Sequence, residues 1–91
     1  MVRYKIIFQG CVQGVGFRMF VSQIANKHSI TGYAKNLYTG DVEVCAQGEE
    51  SDVDVFLGEV LKLKRGLLRI DDYHLKKIPL VLEESKFKTV Y

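Results

Sequence analysis

Alternation opens this chain. From Val2 to Phe8, Tyr4, Ile6 and Phe8 fall on one side and Arg3, Lys5 and Ile7 on the other, the period-two pattern of a strand with one apolar face. A glycine-punctuated stretch, Gln9 to Gly16, follows. The period then lengthens. Phe17, Phe20, Val21, Ile24 and Ala25 form the i, i+3, i+4, i+7, i+8 stripe of an amphipathic helix. This helix should fade at Lys27-His28, whose side chains suit a helix C-terminus.

Ile30 to Asn36 and Asp41 to Gln47 read as two strands joined by Leu37-Tyr38-Thr39-Gly40, a hairpin in which Gly40 can take the positive φ such loops need. Gly48-Glu49-Glu50 closes it. Ser51-Asp52-Val53-Asp54 then predicts a capping box, with Asp54 in place of the usual Glu or Gln. Val53, Phe56, Leu57, Val60 and Leu61 predict a second helix, ending near Lys62–Arg65 with Gly66 as its C′ residue. Ile70 to Ile78 predicts a fourth strand and Phe87 to Tyr91 a short last one. Pro79 to Ser85 carries no pattern that assigns it.

The order is β-α-β-β-α-β with a fifth strand, that of the split-βαβ, ferredoxin-like sandwich. The expected fold is therefore α+β: an antiparallel sheet of four to five strands with two helices on one face, since each helix has a single apolar stripe. Such a fold hosts many unrelated activities, so function has to come from a site.

Composition narrows the class. At 91 residues the chain is expected to be a single domain, 1–91, burying roughly 60–70% of its unfolded surface without a disulfide or structural metal. No apolar run approaches the ~20 residues a membrane helix requires, and the N-terminal segment lacks a signal peptide's apolar region. A cytoplasmic protein with no membrane partner is expected. Lys and Arg number 13 against 11 Asp and Glu, a net charge of +2, too small to argue for nucleic acid. Two cysteines, Cys11 and Cys45, are no disulfide framework, and free thiols are expected in that compartment.

The chemistry concentrates in Gly10-Cys11-Val12-Gln13-Gly14-Val15-Gly16-Phe17-Arg18. Gly14 and Gly16 stand just before the first helical turn, where glycines let backbone N–H groups converge into an anion-binding nest. The helix N-terminus adds unpaired N–H groups and about half a positive charge. A phosphate fits such a place. Arg18 sits where the macrodipole disfavours a cation, unless an anion occupies the loop; a solvated surface arginine is the competing reading, at even weight. Walker A needs Gly-Lys-Ser/Thr where this chain has Gly-Phe-Arg, and the dinucleotide fingerprint needs a third glycine where Met19 stands.

At these residues the sequence resembles the acylphosphatase family, small enzymes that hydrolyse the carboxyl–phosphate bond of acyl phosphates. The family signature Gly-x-Val-Gln-Gly-Val-x-Phe-Arg is matched from Gly10 to Arg18. A second signature is matched by Gly32-Tyr33-Ala34-Lys35-Asn36-Leu37-Tyr38-Thr39-Gly40-Asp41-Val42, with Gly48 at the expected distance. The resemblance implies the ferredoxin-like fold, a phosphoryl group held by the backbone of Gln13, Gly14, Val15, Gly16, Phe17 and Arg18 together with the Arg18 side chain, and an attacking water held by Asn36. It implies no metal and no cofactor. The expected partner is a small acyl phosphate, with no nucleic acid, and the expected state is a monomer. Two departures stand out: Cys11 where the family often has a basic residue, and Gly66-Leu67-Leu68 where it commonly has Gly-Pro-Pro.

Other candidates weigh less. Asn36 is also an ordinary β-turn residue. His28 and His74 lie on different elements without metal-ligand spacing. Asp71 and Asp72, adjacent on a strand, would point to opposite faces. Cys11 as a nucleophile would gain from the helix N-terminus but precedes it by several residues. Lys62, Lys64, Arg65 and Arg69 with Tyr73 raise an RNA-binding reading, yet no RNA-recognition signature of the Lys-Gly-Phe-Gly-Phe type occurs. A non-catalytic phosphate- or RNA-binding module is the alternative function. A free-standing relative of the acylphosphatase-like domains in larger enzymes that handle carbamoyl phosphate is a third.

Overall fold

The computed structural model describes residues 1–90. Its elements are β1 (Val2–Cys11), α1 (Phe17–Lys27), β2 (Thr31–Asn36), β3 (Val42–Gly48), α2 (Glu50–Leu61), β4 (Arg69–Lys77) and β5 (Phe87–Val90). The five strands form one sheet in the order β4-β1-β3-β2-β5. The ferredoxin-like arrangement expected from periodicity is present. Tyr91, expected to end the last strand, lies outside the described residues.

The sheet is mixed rather than wholly antiparallel. β1 pairs antiparallel with β3 and β4, and β2 with β3, but β5 pairs parallel with β2. The cause is the chain's path. β4 ends at one end of the sheet, and residues 78–86 cross to the opposite edge, so β5 starts back towards the other end, alongside β2. As a result β1, β2 and β5 all point their C-terminal ends to the same end of the sheet.

Period-two alternation decides what is buried. Val2, Ile6 and Phe8 of β1 face the same core as Val42, Val44 and Ala46 of β3 and Ala34 of β2. Phe17, Val21 and Ala25 of α1 and Val53, Phe56 and Val60 of α2 cover that face. Phe8 and Phe17 meet edge to face at 5.2 Å between ring centroids, which fixes the start of α1 over the end of β1. Burying aromatic pairs of this kind contributes about 0.5–1.5 kcal/mol beyond the area removed from water.

Helix α2 departs from expectation at both ends. Ser51 does not cap it: the helix begins at Glu50 with Glu49 as N-cap and no capping side chain. Val53 N–H donates to the Glu49 carbonyl at 3.0 Å, and Glu50 and Asp52 occupy the first turn, where the macrodipole favours negative charge. Gly66 is not its C′ residue either. Lys62 and Leu63 N–H groups donate back to the Glu59 and Val60 carbonyls, both at 3.1 Å, closing the helix with a tight last turn. Gly66 instead adopts φ 59° in a separate turn, from which Leu68 inserts into the core with only 4% of its surface exposed.

The face of the sheet opposite the helices carries a polar clasp that periodicity does not foretell. Arg3, assigned outward by alternation, is almost fully buried. Its Nη1 donates to Glu84 Oε1 at 2.7 Å and to Gln47 Oε1 at 3.2 Å. Gln47 accepts from the Val81 N–H at 2.9 Å and donates to the Val81 carbonyl at 3.0 Å. The unassigned segment Pro79–Ser85 is therefore a strap, held across the sheet by one arginine and one glutamine. Burial works to lower the Arg3 pKa, but the Glu84 carboxylate outweighs it and the net direction is up.

Cys11 and Cys45 are both free thiols. Cys45 stands opposite Lys5 in the β1–β3 register, six residues from Cys11 along β1, which is roughly 20 Å of extended chain. No bridge between them is possible without dismantling the sheet.

Candidate active site

The β1–α1 loop and the end of β2 meet at one cleft. Gly14, Gly16, Phe17, Arg18, Asn36 and Thr89 line it, together with neighbours on α1, around a volume of about 350 Å³. Gly14 takes φ 71° and Gly16 takes φ 80°, left-handed conformations that cost L-residues roughly 1–2 kcal/mol. Gly16 is the N-cap of α1, and no side chain caps that helix. The first bond of the helix is Phe20 N–H to the Gly16 carbonyl at 3.1 Å. The amides of Phe17, Arg18 and Met19 therefore have no acceptor within the helix and present the positive end of the dipole at the cleft. Phe17 contributes through its backbone alone, since its ring is buried against Phe8.

Arg18 is not a freely solvated side chain. It is half-buried, and its Nη1 donates to the carbonyl of Val90 at 2.9 Å. That carbonyl belongs to β5, whose Val90 stands opposite Lys35 of β2, one residue before Asn36. The parallel fifth strand thus sets the arginine beside the asparagine. Asn36 is the last residue of β2, and its Oδ1 is buried with no hydrogen-bond partner among the described residues. An acceptor in that state costs about 1–3 kcal/mol when left unsatisfied. It is a group poised to take a proton donor.

Two members of the predicted loop do not line the cleft. Val15 packs against the core. The Gln13 side chain reaches across to the β2–β3 turn, where its amide donates to the carbonyls of Leu37 at 2.7 Å and Asp41 at 2.8 Å. Thr89, the Val90 carbonyl and this use of Gln13 were beyond sequence reasoning. A backbone carbonyl has no signature in a sequence, and only the pairing of β5 with β2 brings the first two here.

The remaining candidates lie elsewhere. His28 caps α1, with Nε2 2.7 Å from Glu59 Oε1 of α2; this bond first, then the Lys27 charge, holds the Glu59 carboxyl below its ordinary range. His74 sits 3.6 Å from Asp72 on the exposed strand β4, and Asp71, ion-paired to Arg69 at 2.7 Å, is likewise held low. Arg65 lies 5.2 Å over the Phe20 ring as a cation–π pair. Tyr33 donates to Glu43 at 2.6 Å, and burial, with Cys45 and Glu43 as neighbours, pushes its phenol strongly up. Among the described residues no group of three or more His, Cys, Asp or Glu side chains gathers where it could hold a metal ion. None of those helices is long and apolar enough to cross a membrane.

A left-handed glycine loop, an uncapped helix N-terminus, an anchored arginine and a buried amide oxygen meet at one cleft of a ferredoxin-like sandwich, an arrangement whose chemistry suits an anion. The acylphosphatase family model matches residues 4–89. The chain is 44% identical over 91 residues to an acylphosphatase of Clostridium beijerinckii, covering all of both chains. It superposes on the crystal structure of acylphosphatase from Bacillus subtilis with a TM-score of 0.92 at 34% identity, again covering all of both chains. It also superposes on part of the T. kodakarensis HypF structure, with a TM-score of 0.85 at 40% identity over 98% of this chain and 12% of that one. The chain belongs to the acylphosphatase family, hydrolases of acyl phosphates.

Proposed function

We propose that the chain cleaves the carboxyl–phosphate bond of a small acyl phosphate, with the loop amides from Gln13 to Arg18 and the Arg18 guanidinium holding the phosphoryl oxygens and Asn36 holding the attacking water. The observation that carries this reading is the convergence of Gly14, Gly16, Arg18 and Asn36 on one cleft.

The reaction asks little of side-chain acids. Water attacks phosphorus, the P–O bond to the acyl group breaks, and the bonding pair leaves on a carboxylate, giving the free acid anion and inorganic phosphate. The leaving group's conjugate acid has a pKa near ~4, so it departs without protonation. Phosphoryl transfer through a loose transition state also lets nucleophile deprotonation lag. Among the described residues, none that lines the cleft carries a side-chain carboxylate or an imidazole, which suits such a mechanism. Catalysis is then positioning and charge stabilisation. The loop and α1 amides and Arg18 face the three equatorial oxygens, and Asn36 Oδ1 accepts a hydrogen bond from the water and aims its lone pair in line.

Every group named comes from one chain, so the proposed catalytic unit is a monomer. Two free thiols fit a reducing, cytoplasmic setting. The test is hydrolysis in ¹⁸O-water. Label in the phosphate and none in the carboxylate supports attack at phosphorus from a held water; label in the carboxylate means attack at the acyl carbon and removes the role given to Asn36.

A further inference from the structure

We propose that the Gln13 side chain is a positioning residue for the reaction, acting through Asn36 rather than on the phosphate. The proposal rests on the reading of Asn36 as the holder of water. Gln13 sits in the loop assigned to the phosphoryl group, yet its amide points out of the cleft and into the β2–β3 turn. Both of its N–H protons are committed, one to the Leu37 carbonyl at 2.7 Å and one to the Asp41 carbonyl at 2.8 Å.

Those two carbonyls are the two rims of the turn that follows Asn36. The turn is closed on itself by Leu37 N–H to the Asp41 carbonyl at 2.9 Å and by Gly40 N–H to the Leu37 carbonyl at 3.2 Å. Between them, residues 38–40 are exposed and touch little. Gln13 therefore ties the β1–α1 loop to the turn through its side chain and holds the two pieces at a fixed separation. Only a side chain of this length with two N–H donors on one nitrogen can bridge both rims. Asparagine is a methylene short, glutamate would set an anion against two carbonyl oxygens, and methionine has the length without the donors.

The consequence is a split between binding and turnover. Phosphate is held by Arg18, fixed by Val90, and by the backbone N–H groups from Gln13 to Arg18, all of which a change in the Gln13 side chain leaves in place. The distance from phosphorus to the water does depend on that side chain. A displacement of about 1 Å of the nucleophile costs on the order of 10²-fold in rate, so losing the link should lower kcat while leaving phosphate affinity nearly unchanged.

The experiment compares Gln13→Met, Asn36→Ala and the double variant, each checked for folding by circular dichroism and urea unfolding. It measures kcat with benzoyl phosphate and the inhibition constant of inorganic phosphate. Gln13→Met should lose about 10- to 100-fold in kcat with its phosphate inhibition constant within about threefold of the wild type. The double variant should be no slower than Asn36→Ala by more than about threefold, because the two residues act through one contact. Multiplying losses, an unchanged kcat, or phosphate affinity falling in step with kcat would overturn the proposal. Wild-type turnover by Asn36→Ala would overturn the reading beneath it instead. If Gln13→Met does not fold, Gln13→Glu serves the same comparison. Its carboxyl can donate to one rim only when protonated, so its kcat should recover relative to wild type as pH falls; a flat ratio counts against the proposal.

Discussion

The Nη1 of Arg18 donates to the carbonyl oxygen of Val90 at 2.9 Å, a contact across 72 positions of sequence. It joins the first turn of α1 to the end of β5, and it makes the arginine's position depend on a strand at the far edge of the sheet. Phe87 docks that strand, being 8% exposed and 6.3 Å from the Phe56 ring centroid. Phe87→Ala should destabilise the fold by about 3 kcal/mol and also weaken inhibition by phosphate. Val60→Ala, in the core under α2, should cost about 2 kcal/mol with unchanged phosphate inhibition in the folded protein. Equal effects of the two on phosphate inhibition, compared at a temperature where both are folded, would show that β5 does not hold Arg18.

The strap carries a separate expectation. Arg3 and Glu84 pair at 2.7 Å with side chains 5% and 17% exposed. Removing one partner strands a charge taken out of water, which costs 3–5 kcal/mol when burial is complete. With Glu84 partly exposed, Glu84→Gln should lose about 2 kcal/mol in urea unfolding. Its kcat and KM should stay at the wild-type values, because the clasp lies on the face opposite the helices. A loss of activity in folded Glu84→Gln would connect the strap to the site.

Glycine substitutions separate strain from collision. A Cβ on Gly14 would meet nothing within 4 Å, whereas one on Gly32 would come within 1.8 Å of the Cys45 carbonyl oxygen. Gly14→Ala should therefore cost only the left-handed backbone term, about 1–2 kcal/mol, and remain folded. Gly32→Ala must push β2 away from β3 and should fail to fold. Thermal melts of the pair decide this, and equal midpoints would refute it.

Acid sensitivity follows from Glu59. Its carboxyl is held below the ordinary value of 4.5, first by the His28 hydrogen bond and then by the Lys27 charge. A depressed folded-state pKa contributes stability that is present above the unfolded value and lost as pH falls through the folded one. Glu59→Gln should thus have a lower urea midpoint than wild type near about pH 6, with the gap closing towards about pH 3. A gap that stays constant across that range would mean the His28–Glu59 contact contributes nothing by charge.

The legible part of the fold was the part written in local periods. The period-two face of Tyr4, Ile6 and Phe8 and the helical stripe of Phe17, Phe20, Val21, Ile24 and Ala25 each report burial against a single core, so both could be read from neighbours in sequence. Gly14 and Gly16 were legible because a left-handed loop before a helix needs glycine, whereas Arg18 stood out only as a cation where the macrodipole disfavours one, and its role came from the family resemblance. What escaped depends on contacts distant in sequence. The parallel pairing of β5 follows from where the strap crosses, and the strap is held by Arg3 and Gln47, residues that alternation assigns to the face away from the core. Ser51 misled because its capping pattern is local, while the start of α2 is set by Glu49 at the end of the hairpin. Gln13 was read through its backbone, and nothing nearby in sequence announces that its side chain serves the β2–β3 turn.

The central claim is that Arg18 and Asn36 carry the hydrolysis, and its most direct measurement is the turnover of benzoyl phosphate in buffer containing EDTA. Wild type should hydrolyse it. Folded Arg18→Ala and Asn36→Ala should each lose about 10²–10³-fold in kcat/KM, the cost of removing one preorganised contact to the reacting group. A folded wild type that is inert under these conditions, or either variant turning over at the wild-type rate, would contradict the account.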